Sequence, residues 1–310
     1  MRSRRPVHVL VTSAALVLAV LILAPAVHAW WENGHFYTGR AAAEALPAQM
    51  PAFFRQSVDR LSYLNYEPDR WKNSAERATD QALYGGTSPE HYINLEKVPP
   101  GLLKLTNVFD FLAAVGKREP NGSQVGTLPY RTLELFQSLR VSFRLWREAP
   151  DAGTRAWIEQ RIIDDAGILG HYVADGSNPL HTTVHHNGWV SRNNPRGFTT
   201  DNTLHGRFEG KFVDGHIKIE DVRPRVVQQA KVIAQPREAI VQFINSSYAL
   251  VDDVYRLEQR EKFSETTKSP EHKAFVVDRI AVGATFLRDL WWTAYITSDQ
   301  PAPPPPTPSR

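Results

Sequence analysis

The 310-residue chain has no cysteine. That absence excludes disulfide bracing and thiolate chemistry, so stability rests on a packed core, on bound metal or on both, and a metal site must be built from imidazole and carboxylate. A dominant charge sign is also lacking. The 36 Lys and Arg face 33 Asp and Glu, and three of the cations, Arg2, Arg4 and Arg5, lie in an acid-free leader, so the rest is balanced. A balanced chain has no general attraction for nucleic acid or anionic membrane, and a polyanionic substrate would need local capture by metal and a few basic side chains. No nucleotide-binding loop, internal repeat or second-domain linker is present. Long apolar runs are scarce too. The main one, Val9 to Ala24, follows the three arginines and precedes Val27-His28-Ala29, which reads as a secretory signal peptide over residues 1–29, cut after Ala29. Such a leader sends the protein to the periplasm or outside the cell. An uncleaved anchor is the alternative, because the run is near the lower length of a spanning helix. The Arg4-Arg5 pair leaves general and twin-arginine export both open.

What is there centres on Gly170-His171-Tyr172-Val173-Ala174-Asp175-Gly176-Ser177-Asn178-Pro179-Leu180-His181. Apolar positions from Trp157 to Leu169 recur every three to four residues, which predicts a helix carrying His171 and Asp175, four apart, on one face. Pro179 stops that helix, and a turn can bring His181 back to the same pocket. A buried histidine beside an ordinary helix acid fits the segment as well. Further along, His205 and Glu209 form a second pair four apart that can close a site with His181. The neighbours His185 and His186 point opposite ways in an extended segment, so at most one lines the cleft. Cleavage after Ala29 would leave Trp30 first, where a free amino group and its own carbonyl can chelate a metal together with His35. An aromatic cluster capping a first helix over Thr38 to Leu46 is the other reading of Trp30.

The rest is helical scaffold. Core stripes run through Val108, Phe109, Phe111, Leu112 and Val115, and through Leu133, Phe136, Leu139, Ser142, Phe143 and Leu145, with a turn at Pro120-Asn121-Gly122 between them. Two long amphipathic helices are predicted over Pro236 to Phe263 and Pro270 to Ile296. The proline-rich residues 301–310 predict an extended or disordered tail.

Taken together, Trp30 with His35, Asp69 with Lys72, His91 with Tyr92, the pair His171 and Asp175, His181, and the pair His205 and Glu209 resemble the superfamily of zinc-dependent phospholipases C and single-strand-specific nucleases of the S-one/P-one type. The resemblance covers nearly all of residues 30–300. It implies an all-α, single-domain multi-helix bundle with a trinuclear zinc cleft. By position it implies one zinc on Asp69, His91, His171 and Asp175, a second on Trp30, His35 and again Asp175, and a third on His181, His205 and Glu209. Asp69, Lys72 and Asp175 would be the catalytic residues, with Asp69 orienting the nucleophile and Lys72 offsetting phosphate charge. Asp80 is the rival for the Asp69 role, and an Asp after Pro68 also fits a plain turn or cap. Asn94 stands where the nucleases carry an acid. Tyr92, Asn94 and Trp189 are the expected substrate-binding residues.

The expected activity is hydrolysis of phosphodiesters, by a monomer without an obligate protein partner. The step from Trp30 to His35 and the long step from His181 to His205 favour a nuclease acting on single-stranded DNA or RNA. Glu209 as a ligand, in Phe208-Glu209 followed by Phe212-Val213, is closer to the phospholipases, which act on phospholipid. A non-enzymatic zinc-binding protein is the third reading.

Overall fold

The computed structural model describes residues 30–300, except 81, 83, 84, 100 and 118–123. The leader, the turn at 120–122 and the tail therefore lie outside the described residues. Among these, helices and turns make up the whole architecture, with no β-strand, so the chain is all-α. Eight helices of seven residues or more carry it: α1 (Trp31–Glu44), α2 (Val58–Leu64), α3 (Val108–Gly116), α4 (Leu128–Glu148), α5 (Ala152–Ser177), α6 (Pro236–Tyr248), α7 (Val251–Arg260) and α8 (Pro270–Thr297).

Helix α5 is the axis. Asp151 caps it, its carboxylate accepting the Thr154 amide at 2.8 Å. From Ile162 to Ser177 nearly every residue is buried, so the C-terminal half is surrounded on all sides. It ends where expected, because Asn178 before Pro179 is extended (φ −83°, ψ 117°). Helices α4, α8, α2 and α1 pack around α5. Phe54, Phe143 and Trp291 tie this bundle, with ring centroids 5.4 to 5.8 Å from Phe54. The Trp291 indole N–H donates to the Ala166 carbonyl at 3.1 Å, so this large buried ring also satisfies its polar edge.

Several elements differ from the periodicity. Helix α1 begins at Trp31, well before Thr38, because Gly34, His35, Thr38 and Gly39 form its buried face. The predicted helix over Pro236 to Phe263 is two, α6 and α7, broken at Ala249 and Leu250, and its last residues are non-helical. Within the predicted stripes, Phe111, Val115, Phe136, Leu139 and Phe143 are core, whereas Phe109 and Leu145 are exposed. Trp157 is exposed as well, although Arg155 and Glu159 on the same turns of α5 meet Trp146 of α4. No helix among the described residues is long and apolar enough to cross a membrane.

Candidate metal centre

The metal-binding candidates are delivered by six separate stretches of the chain. His35 comes from α1, Asp69 from the single turn Glu67–Arg70, and His91 from the 3-10 turn Ser88–His91. His171 and Asp175 come from α5, and His181 from the turn Pro179–His181. His205 and Glu209 come from a helical stretch in which Arg207–Lys211 forms a wider π-helical turn, a distortion common where a helix is reshaped to aim side chains. The segment after His91 is pinned beside the one after His181 by hydrogen bonds donated by the Ile93 amide to the His181 carbonyl (2.9 Å) and by the Leu95 amide to that of Thr182 (3.1 Å). Glu96 completes the clamp, accepting from the Thr183 hydroxyl and from the Val184 amide at 3.1 Å.

These side chains converge into three buried groups able to hold a cation: Asp69, His91 and His171; His35, His171 and Asp175; and His181, His205 and Glu209. The first two overlap. His91 Nδ1 lies 2.9 Å from His171 Nε2, and Asp175 Oδ2 is 3.2 Å and 3.3 Å from the same two nitrogens. Asp69 Oδ1 stands at 3.8 Å and 3.9 Å from them. The other oxygen of Asp175 faces His35 Nε2 at 3.5 Å, so this carboxylate has one oxygen on each group. In the third group Glu209 Oε2 is 2.7 Å from His205 Nε2 and 3.5 Å from His181 Nε2.

Hydrogen bonds behind the rings fix which nitrogen is free. The His171 Nδ1–H donates to the Asn65 carbonyl at 2.8 Å, and the His181 Nδ1–H to the His91 carbonyl at 2.6 Å, since a carbonyl oxygen can only accept. Both Nε2 lone pairs are thereby aimed inward, the arrangement a metal ligand needs. With its Nδ1 spent, His171 can serve one cation, and its distances place it with Asp69 and His91. Glu209 Oε2 is steadied by the Trp30 amide at 3.1 Å and the Asn178 side-chain amide at 3.2 Å.

The electrostatics are those of a site built around positive charge. Burial lowers the pKa of His91, His171 and His181, and lowers His205 to about 3, keeping the imidazoles neutral. Burial, then the Asp69 charge, raises Asp175 well above the carboxylate range, and burial raises Glu209 to about 7. Asp69 Oδ2, Asp175 Oδ1 and Glu209 Oε1 are buried acceptors without a hydrogen-bond donor. Such orphaned oxygens, facing neutral imidazole lone pairs, are costly unless a cation lies among them. The donor set of nitrogen and carboxylate oxygen suits a divalent metal.

No protein-family model, curated protein or solved structure matches this chain.

The candidates from the sequence meet different fates. His35, Asp69, His91, His171, Asp175, His181, His205 and Glu209 all reach the buried groups. Asp69 is buried beside His91, whereas Asp80 is exposed and caps its own turn through the Ala82 amide. Trp30 is fully buried, but its backbone nitrogen meets Glu209 of the third group, not His35, and its indole N–H donates to the Ala174 carbonyl at 2.8 Å. Lys72 lies 2.5 Å from Asp69 Oδ1. A cleft of about 500 Å³ opens over His91, His181 and His205, with Lys72, Tyr92, Asn94 and Lys97 on its walls. His35 and Asp175 lie beneath it, both fully buried.

One expectation is corrected. Trp189 does not line this cleft; its ring stacks on His185 at 3.8 Å and abuts Phe198 and Tyr255, because three neighbouring rings cover it on that loop. Asn94 lines the cleft, with one N–H of its amide donating to the Gln124 carbonyl at 2.6 Å. Of the histidine neighbours, His186 faces the cleft and His185 turns away to Trp189. Sequence reasoning missed Asn65 and Asn178. Asn178 had a faint signal, a capping residue before Pro179; Asn65 had none, because its partners are distant in the chain.

Proposed function

We propose that this chain is an exported trinuclear-zinc phosphodiesterase of the nuclease and phospholipase C type, acting on single-stranded nucleic acid. The observation that carries the reading is the placement of Asp175, whose two oxygens face two different ligand groups at the floor of the cleft. Asp69, His91, His171 and Asp175 would hold one zinc, His35 and Asp175 a second, joined by the Trp30 amino group once cleavage frees it to leave Glu209, and His181, His205 and Glu209 a third. Clustered zinc ions lower the pKa of water toward neutrality and neutralise charge on a phosphoryl group. The protein's share is binding and orientation. Lys72 and Lys97 on the walls attract and hold a phosphodiester anion. Tyr92 offers a ring on which a base can stack. Asp69, held by Lys72, presents its second oxygen to the interior, where it can accept a proton from a nucleophilic water. Neutral His205, with burial depressing its pKa, stays a lone-pair donor throughout the working pH range.

One observation favours phospholipid as the substrate instead. Leu180, Val184 and the exposed Val190 form an apolar stretch of the cleft wall, suited to an acyl chain. The test is a parallel assay of single-stranded DNA, RNA and phosphatidylcholine vesicles with zinc, after chelation and after zinc is restored. Zinc-restorable cleavage of the oligonucleotides supports the nuclease, turnover of lipid alone transfers the reading to a phospholipase, and full zinc occupancy without phosphoesterase activity overturns both.

A further inference from the structure

Asn65 follows the last residue of α2 and is fully buried, far in sequence from the histidines it touches. Its side-chain oxygen accepts from His35 Nδ1 at 3.1 Å, and its backbone carbonyl accepts from His171 Nδ1 at 2.8 Å. One residue thus stands behind a ligand from each of the two groups that Asp175 joins. The space it occupies is reserved for it. A Cβ on Gly39 of α1 would lie 2.9 Å from Asn65 Nδ2, and one on Gly170 of α5 would lie 2.1 Å from the same atom. The two glycines flank the slot on the same helices that carry His35 and His171.

We infer that Asn65 is a positioning residue that sets the proton on Nδ1 of both His35, through its side chain, and His171, through its backbone carbonyl, so that two adjacent cation positions are prepared by a single residue wedged between α1 and α5. The inference rests on the metal-centre reading above. The competing state is specific: with the Asn65 amide turned over, its NH₂ would face His35 Nδ1. The imidazole proton would then sit on Nε2, pointing at Asp175 Oδ1 and occupying the lone pair a cation requires. The slot between Gly39 and Gly170 keeps the side chain at contact distance, and the His171 bond, being to backbone, anchors the residue itself. Fixing a ligand's tautomer from behind is commonly worth 10 to 100-fold in metal affinity, so about that factor is at stake here.

The first measurement needs no variant. In metal-free protein near pH 7.5, long-range proton–nitrogen correlation spectra should show His35 and His171 both as Nδ1–H tautomers; Nε2–H on either ring overturns the inference. The second compares zinc uptake by competition with a chelating dye, and cobalt absorption spectra, for wild type, Asn65→Leu and Asn65→Asp. Leu fills similar volume without an acceptor and should weaken the position beside His35 by about 10 to 100-fold. Asp restores an acceptor and should recover most of the affinity. Unchanged affinities in Asn65→Leu, or Asn65→Asp as weak as Leu, overturn the inference while leaving the metal centre standing. A wild type that takes up no zinc overturns both.

Discussion

Replacing Glu209 with Gln should change stability with opposite sign in the presence and absence of zinc. The carboxyl is fully buried, and burial lifts its pKa from 4.5 to about 7. Because the folded value lies above the unfolded one, ionisation favours the unfolded chain. The penalty is absent below about pH 4.5, where both states hold the proton, and grows as pH rises toward 7. At about 1.36 kcal/mol per pKa unit, it reaches about 3 kcal/mol at pH 7 in metal-free protein. Gln keeps the shape. In the place of Oε2 its oxygen can still accept from the Trp30 and Asn178 amides and from an Nε2–H of His205, while the NH₂ takes the place of Oε1. Chelated Glu209→Gln should therefore melt above chelated wild type at pH 7, by about 6 °C at roughly 2 °C per kcal/mol for a domain this large. Near pH 4 the two should coincide. With free zinc at 1,000 times the dissociation constant, each bound cation stabilises the fold by about 4.1 kcal/mol, more than the penalty that Gln relieves, so losing the one beside His181 and His205 should reverse the order. Calorimetry of both proteins at two pH values, with zinc and with chelator, measures all four differences. A chelated variant that melts below chelated wild type at pH 7 would refute the reasoning, since it would make Glu209 a structural hydrogen-bonding group and not a carboxylate held for a cation.

Other outcomes follow from the same geometry. Asp175→Asn removes the charge shared by two groups and should lose one or two zinc ions and nearly all turnover, whereas His186→Ala, whose ring only edges against His205 at 5.8 Å, should retain all the zinc by metal analysis; the reverse order would break the ligand assignment. Prolonged chelation should lower the melting temperature of wild type as well as abolish activity, because the ligands span from His35 to Glu209 and no such site exists in the unfolded chain; an unchanged melting curve would exclude a multinuclear core. A chain beginning at Trp30 should bind one more zinc than one beginning at Ala29, because an amide nitrogen cannot ligate and an added residue displaces the amine by about 3.5 Å, far beyond a metal bond's tolerance of about 0.2 Å. Equal zinc content would reduce Trp30 to a packed aromatic.

What the sequence alone determined is local. Spacing four apart put His171 with Asp175 and His205 with Glu209 on shared helical faces, and Pro179 ended α5 where His181 could turn back, because backbone geometry fixes those relations within a turn or two. Apolar periodicity likewise marked Phe136, Leu139 and Phe143 in the core of α4. Periodicity could not decide which stripe positions stay exposed, so Phe109 and Leu145 were misjudged, since exposure depends on whether another helix arrives to cover them. Tertiary structure alone chose Asp69 over Asp80, sent the Trp30 nitrogen to Glu209, and buried Trp189 against His185. It alone brought Asn65 behind His35 and His171, 30 and 106 residues away. Those relations follow from how α1, α2 and α5 close on one another, and a spacing pattern carries no information about a contact between helices.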